Sequence, residues 1–120
     1  MNPVFSAVVP AFNEQEVLQQ SFERLDAVMR GMNEPYELIF VDDGSRDQTL
    51  PLLKAYAAKD ERVHYLSFSR NFGKESAMYA GLVNASGDYV AILDADLQDP
   101  PALLPQMLDA IEREGYDSVA

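Results

Sequence analysis

Apolar runs and helix-period segments alternate four times along these 120 residues. Each helical segment is long enough to carry the chain back across a sheet, so the strands it joins are expected to be parallel. Such an order predicts an α/β fold with helices on both faces of one sheet.

The first strand reads from Val4 to Val9 and is closed by Pro10. From Glu14 to about Arg30, Leu18, Phe22, Leu25 and Met29 recur at spacings of four, three and four, one stripe of a helix ended by Gly31. Tyr36 to Val41 is the second strand. Asp47 is placed to cap the next helix, Pro51 falls in its first turn, and Leu50, Leu53 and Ala57 form its inner side. Val63 to Phe68 is the third strand. The third helix runs from Gly73 to about Asn84, and Ala77, Ala80 and Gly81 give it a small-residue face suited to close approach. Ser86-Gly87 ends it, and Tyr89 to Leu93 is a fourth strand, apolar enough to be covered on both faces. Asp99 caps a fourth helix opened by Pro100 and Pro101, with Leu104, Leu108 and Ile111 inward. A fifth strand opens at Tyr116 and the sequence stops at Ala120. Residues 1–120 are expected to form a single domain that belongs to a longer protein.

Twenty acidic against nine basic residues give a formal charge of −11. That balance excludes nucleic acid as a partner and disfavours unassisted docking on anionic lipid. An anionic ligand would need a metal ion or a nest of backbone N–H groups. The absence of Cys excludes disulfides and thiolate sites. With no signal-peptide pattern and no apolar run near the ~20 residues of a membrane span, a cytoplasmic chain is expected.

Ligands of open α/β sheets bind beyond the carboxyl ends of the strands. Each strand here ends in a polar loop: Pro10 to Glu14, Asp42 to Ser45, Ser69 to Lys74, and Asp94 to Asp99. Asp94, Asp96 and Gln98 offer hard oxygen donors suited to Mg²⁺ or Mn²⁺; the competing reading is an Asp-rich capping loop. Asp42 and Asp43 can accept from a base or a ribose, or belong to a simple turn. Glu14 is open to the same alternative, as a dipole partner of the first helix. Arg70 and Lys74 flank Gly73, where a phosphate would meet helix-start N–H groups; otherwise they are solvated, or counterions of Asp94 and Asp96. His64 reads as a structural side chain, and Met29, Met32, Met78 and Met107 as packing residues.

The segments Val9 to Glu14, Val41 to Ser45 and Gly87 to Pro101 together resemble family 2 glycosyltransferases. Within that family they are similar to the polyprenyl-phosphate sugar transferases, the dolichol-phosphate mannosyltransferases and bactoprenol glucosyltransferases. The run Phe68 to Glu75 is particularly like the bacterial branch. The resemblance covers essentially the whole chain and implies the Rossmann-like, nucleotide-binding half of a GT-A fold. It implies that Pro10, Phe12, Glu14, Asp42 and Asp43 line the nucleotide pocket, with Arg70, Lys74 and Asp94 near it. Many members have Tyr where this chain has Phe12, which loses a hydroxyl and keeps a ring. It also implies that Asp94, Asp96 and Gln98 hold Mg²⁺ or Mn²⁺ against a UDP-sugar or GDP-mannose, Asp96 being the catalytic member.

The implied reaction is inverting transfer of the sugar to a polyprenyl phosphate, at the cytoplasmic face of a membrane in the full-length protein. A hydroxyl-acceptor transferase and a non-catalytic nucleotide-binding piece are the alternatives. Family members run well beyond this length, with the acceptor segment downstream of the Asp-x-Asp loop. Weak nucleotide binding, little or no turnover and self-association of the chain are therefore expected. A receiver domain shares the alternation and the acidic edge, but its acidic pair follows the first strand, whereas here it follows the second.

Overall fold

Two seven-residue strands, Phe5–Ala11 (β1) and Tyr36–Asp42 (β2), lie at the centre of the described sheet, and every residue of both is buried, Glu37 and Asp42 included. The computed structural model describes residues 3–93. Within them the chain order is β1, α1 (Leu18–Gly31), β2, α2 (Thr49–Lys59), β3 (Val63–Ser67), α3 (Lys74–Asn84) and β4 (Tyr89–Ile92). The sheet order is β3-β2-β1-β4, with every pairing parallel. The expected helix after Asp99, the strand at Tyr116 and the residues Asp94, Asp96 and Gln98 lie outside the described residues.

Alternation along the strands separates two cores. Phe5, Ala7, Val9 and Ala11 of β1 join Leu38 and Phe40 of β2, and against them pack Leu18, Leu25 and Met29 of α1 and Leu53 of α2. Val8, Ile39 and Val41 face the other way, onto Ala77 of α3. Helices thus cover both faces, as the alternation predicts. Gly81 sits so close to β1 that a Cβ there would run into the methyl groups of Val8, and the small-residue face of α3 makes that approach possible.

Four local expectations are corrected. Pro10 does not close β1; the strand runs on to Ala11, with Pro10 aligned to Val41. The carbonyls of Val4 and Val8 accept from β4 and that of Ala11 from Asp43 on the β2 side. Pro10 shares the parity of Val8, so its missing N–H falls on the β4 side, past the last β1–β4 pair, and no β2 bond is lost. The first helix starts at Leu18, one turn after Glu14: the Glu14 carbonyl closes the intervening turn, accepting from Val17 N and Leu18 N, while the Glu14 and Gln15 N–H groups bond to Thr49 and Asp47. Ser21 is buried on its inner stripe, while Phe22 is half-buried and stacks on Tyr56 at 4.5 Å. Finally, β4 is only half covered, since it is the edge of the described sheet.

A buried carboxylate unforeseen in the sequence ties the connection after α3 to the sheet. Glu37 Oε2 accepts from Ser6 Oγ at 2.6 Å, Ser86 N at 2.7 Å and Ser86 Oγ at 3.0 Å. Gly87 N in turn donates to Ser6 Oγ at 2.8 Å. His64, exposed on the edge strand β3, brings Nε2 to 3.5 Å from Glu37 Oε1. Burial pushes the Glu37 carboxyl up, but the Ser6 and Ser86 hydrogen bonds and His64 more than offset it, and it settles below the ordinary value. A depressed carboxyl stabilises the fold above its unfolded pKa, and that contribution is lost as pH falls through the folded pKa. Urea unfolding should therefore show stability falling on the acid side, with a shallower fall in Glu37→Gln; equal slopes would show that Glu37 does not carry it.

Candidate functional site

Three loops leave the carboxyl ends of β1, β2 and β3, and side-chain bonds to backbone join them into one surface. In the loop after β1, Asn13 adopts φ 52, in the left-handed region that Asn tolerates. Its N–H donates to Ser45 Oγ at 2.9 Å, and its Oδ1 accepts from Arg46 N at 2.9 Å. Glu14 N donates to Thr49 Oγ1 at 2.8 Å and Gln15 N to Asp47 Oδ2 at 3.2 Å. Gln48 N returns a bond to Gln15 Oε1 at 2.8 Å. The cap position of α2 is Gln48, with no side-chain cap bond, so the expected Asp47 cap is corrected: Asp47 stands one residue earlier and accepts from Thr49 N at 2.9 Å. Burial pushes Asp47 up, and its bonds from Thr49 and Gln15 bring it below the ordinary range.

The loop after β2 holds the loop after β3. Asp43, 4% exposed, accepts from Phe72 N at 2.8 Å through Oδ1 and from Gly73 N at 3.1 Å through Oδ2. Its own N–H donates to Ala11 O at 2.9 Å, so one residue ties the loops after β2 and β3 to the end of β1. Gly44, at φ 77, lies against the backbone of Arg70 and Asn71, where any Cβ would collide. Asp42 is fully buried; its Oδ1 accepts from Ser45 N at 3.3 Å and its carbonyl from Phe68 N at 2.9 Å.

The expected site residues divide by exposure. Pro10, Asp42 and Asp43 are buried and Glu14 is half-buried. Phe12 and Phe72 are exposed rings, at 41% and 49%. Arg70 and Lys74 are exposed at the start of α3, and the Arg70 guanidinium lies 4.6 Å from the centre of the Phe72 ring. Phe68 meets the same ring edge-on at 5.5 Å. At this helix start the Phe72 and Gly73 N–H groups that a phosphate could meet are already taken by Asp43. The expected metal ligands Asp94, Asp96 and Gln98 lie outside the described residues. Among the described residues no cluster of three His, Asp or Glu side chains could hold an ion. Leu93 N bonds to Val8 O at 2.9 Å, which brings β4 to the edge from which these loops emerge.

Ser45 and Thr49 carry loop-joining bonds that no sequence signal marked, because each acceptor acts only on a loop distant in sequence. Asn13 was readable in part, as the residue type that most readily takes a left-handed turn.

The sequence model of Glycosyl transferase family 2 matches residues 6–120. The chain belongs to glycosyl transferase family 2. Among relatives, it is 44% identical over 115 residues to the glycosyltransferase YkcC of Bacillus subtilis (strain 168), covering 96% of this chain and 35% of that one. It is 45% identical over 116 residues to the undecaprenyl-phosphate 4-deoxy-4-formamido-L-arabinose transferase of Yersinia enterocolitica, covering 95% of this chain and 35% of that one. The chain thus spans about a third of the length of these family 2 relatives. Among solved structures, a mannosyltransferase of Pyrobaculum calidifontis in complex with GDP-Man and Mn²⁺ superposes with a TM-score of 0.75 at 22% identity, over 92% of this chain and 33% of that one. The glucosyl-3-phosphoglycerate synthase of Mycobacterium tuberculosis in complex with UDP superposes with a TM-score of 0.64 at 28% identity, over 90% of this chain and 39% of that one. These neighbours have the GT-A fold, so the Rossmann-like, parallel architecture is that of family 2. The receiver reading is set aside by the family match.

Hydrogen bonds to a charged group contribute about 1.5–3 kcal/mol, and solvent at the two part-buried bonds to Asp43 brings this down to about 1 kcal/mol or a little more. Asp43→Ala should lose that much in urea unfolding and speed amide exchange at Phe72 and Gly73. Unchanged exchange there would show that Asp43 does not hold this loop.

Proposed function

We propose that this chain is the nucleotide-sugar-binding part of a metal-dependent, inverting glycosyltransferase that moves a sugar from a nucleoside-diphosphate donor to a polyprenyl phosphate. The observation that carries the reading is the joined three-loop edge, with two exposed rings and two exposed cations beside two buried Asp residues. Kinship to an undecaprenyl-phosphate sugar transferase supports the acceptor, and the neighbours in complex with GDP-Man or UDP support the donor.

Each group has a task that follows from its placement. Asp42 offers a buried carboxylate to the N–H of a base or to ribose hydroxyls. Phe12 and Phe72 offer rings to the base, and Pro10 and Glu14 shape the floor. Arg70 and Lys74 face the diphosphate with fixed charge, Arg70 being held by its stacking on Phe72. Asp94, Asp96 and Gln98 directly follow a strand that ends at this edge, and their oxygens are the donor set that Mg²⁺ or Mn²⁺ prefers. When bound, the ion supplies charge that neutralises the departing nucleoside diphosphate.

An acceptor phosphate is already ionised at neutral pH, so its oxygen needs no strong base to attack the anomeric carbon from the face opposite the leaving group. The acceptor would be met at the cytoplasmic face of a membrane. No described helix is long and apolar enough to cross one.

A panel of UDP-sugars and GDP-mannose, titrated with Mg²⁺ or Mn²⁺, should show one donor binding only with metal. Asp96→Ala should weaken that binding at least about tenfold, ~1.4 kcal/mol. Equal affinity in both proteins would remove Asp96 from the metal and with it this reading of the edge. Transfer to a short polyprenyl phosphate, measured against a sugar hydroxyl, tests the acceptor. Association of copies is part of the same reading, so light scattering should give a mass above the monomer; a dilute monomer would count against it.

A further inference from the structure

The strand that leads to Asp94 is the one least able to choose its own place. β4 has four residues, Tyr89–Ile92, and in the described sheet it pairs only with β1. Every residue from Tyr89 to Leu93 is apolar. A slip along β1 would exchange one apolar side chain for another, so the hydrophobic pattern that fixes register elsewhere has little to choose between. Each residue of slip would carry the end of β4 about 3.3 Å along the sheet. A metal site holds its ligand distances to about 0.2 Å. The register must therefore be held from outside the strand.

The connection from α3 provides the hold. Ser86 and Gly87 lie against the start of β1, through contacts of two kinds. The polar contacts converge on Glu37, a buried carboxylate of β2. Its Oε2 accepts from Ser86 N, Ser86 Oγ and Ser6 Oγ. Ser6 Oγ gives its one hydrogen to Glu37, which leaves its lone pairs to the Gly87 N–H. The steric contact is at Gly87. A Cβ there would stand 2.6 Å from Ser6 Oγ, 2.8 Å from Ser6 N and 2.9 Å from the Phe5 carbonyl carbon. The last two are backbone atoms of β1, fixed in its ladder. A slip of one residue in either direction would bring Ser86 or Asp88 to this point, and neither has room for its Cβ. Gly87 is the stop, and Glu37 holds the connection against it.

We propose that Glu37, through Ser6, Ser86 and Gly87, sets the register of β4 on β1 and thereby positions the carboxylates that follow the strand. Gly87 fixes Tyr89 opposite Phe5, and the ladder carries that placement to Leu93, whose N–H bonds to Val8 O. Asp94 is the next residue in the chain. Glu37 is a positioning residue: it lies at the start of β2, the opposite end of the sheet from the three joined loops. Its bearing on sugar transfer rests on the function proposed above, whereas the register does not.

Two variants test the register in the full chain. Glu37→Ala removes the acceptor, and Gly87→Ala blocks the seat. Each should speed amide exchange at Leu93 by about tenfold or more and weaken the nuclear Overhauser contact between Leu93 N–H and Val8. Glu37→Gln keeps an oxygen for Ser86 and should hold the register. Leu93 exchange and contact unchanged in both Ala variants would overturn the proposal.

The positioning role is read with UDP and GDP as probes while Mn²⁺ is titrated in. Glu37→Ala and Gly87→Ala should lose about tenfold or more of the affinity that the metal adds. Val63→Ala opens the core at the start of β3, two strands away from β1 in the described sheet, so it should lower Tm and leave the metal-added affinity unchanged. Equal losses in Val63→Ala and Glu37→Ala would reduce Glu37 to a stabiliser, and no loss in Glu37→Ala would remove its bearing on the loop. A wild-type chain whose nucleotide binding gains nothing from Mn²⁺ would end the functional reading and the positioning role together, and the Leu93 measurements would still decide the register.

Discussion

The Asp43 carboxylate, accepting the Phe72 and Gly73 N–H groups, is the contact on which the functional edge depends. β1, β2 and β3 are aligned by their ladder, but a ladder fixes only where strands end, not where the loops beyond them go. Asp43 fixes the third loop against the second, and its own N–H fixes the second against Ala11. Gly44 is what allows it: any side chain there would push the Arg70–Asn71 backbone away and pull Phe72 off the carboxylate. Ser45, Asp47 and Thr49 then hold the first loop from the other side. Most of these bonds run from a short polar side chain to a backbone N–H. Such bonds satisfy backbone donors within the loops, whose surface stays partly open to solvent.

The architecture was legible because it rests on periodicity. Buried runs at Phe5–Ala11 and Tyr36–Asp42, a stripe of Leu18, Leu25 and Met29, and the small face of α3 are properties of residue order. The local errors share one cause. Pro10 reads as a strand terminator until the sheet order shows which neighbour its nitrogen faces. Glu14 reads as a helix start, whereas its turn is a separate one whose first N–H groups are held by Thr49 and Asp47 of another loop. Strand parity and loop partners are tertiary facts, and no window of sequence contains them.

The site was legible as a set of loops and less so as a set of roles. Asp42-Asp43-Gly44-Ser45 read either as a turn or as a ligand-binding group, and the geometry gives three of its members structural tasks. Gly44 and Ser45 are turn and tether, and Asp43 is a clamp whose two oxygens each already hold an N–H. Asp42 is the member whose recorded side-chain bond, 3.3 Å from Ser45 N, is long. Glu37 escaped notice entirely, since an acidic residue inside a strand signals exposure unless its Ser6 and Ser86 donors are known.

The clamp also bears on how this edge meets a diphosphate. A bare helix start attracts anions through its N–H groups and its dipole. Here Asp43 has filled that role at α3 with a fixed negative charge of its own. A phosphate approaching the same point meets a carboxylate whose two oxygens already accept these N–H groups. Attraction must then come from Arg70 and Lys74 at the rim, two cations in a chain of charge −11. Two exposed cations are weak opponents of a diphosphate's charge in water. The arrangement therefore calls for a further positive charge on the β4 side of the edge, where Asp94 and Asp96 follow the strand. Asp43 thus builds the edge and occupies the helix start; under the proposed function, a divalent ion would then carry the phosphate binding that the helix start does not.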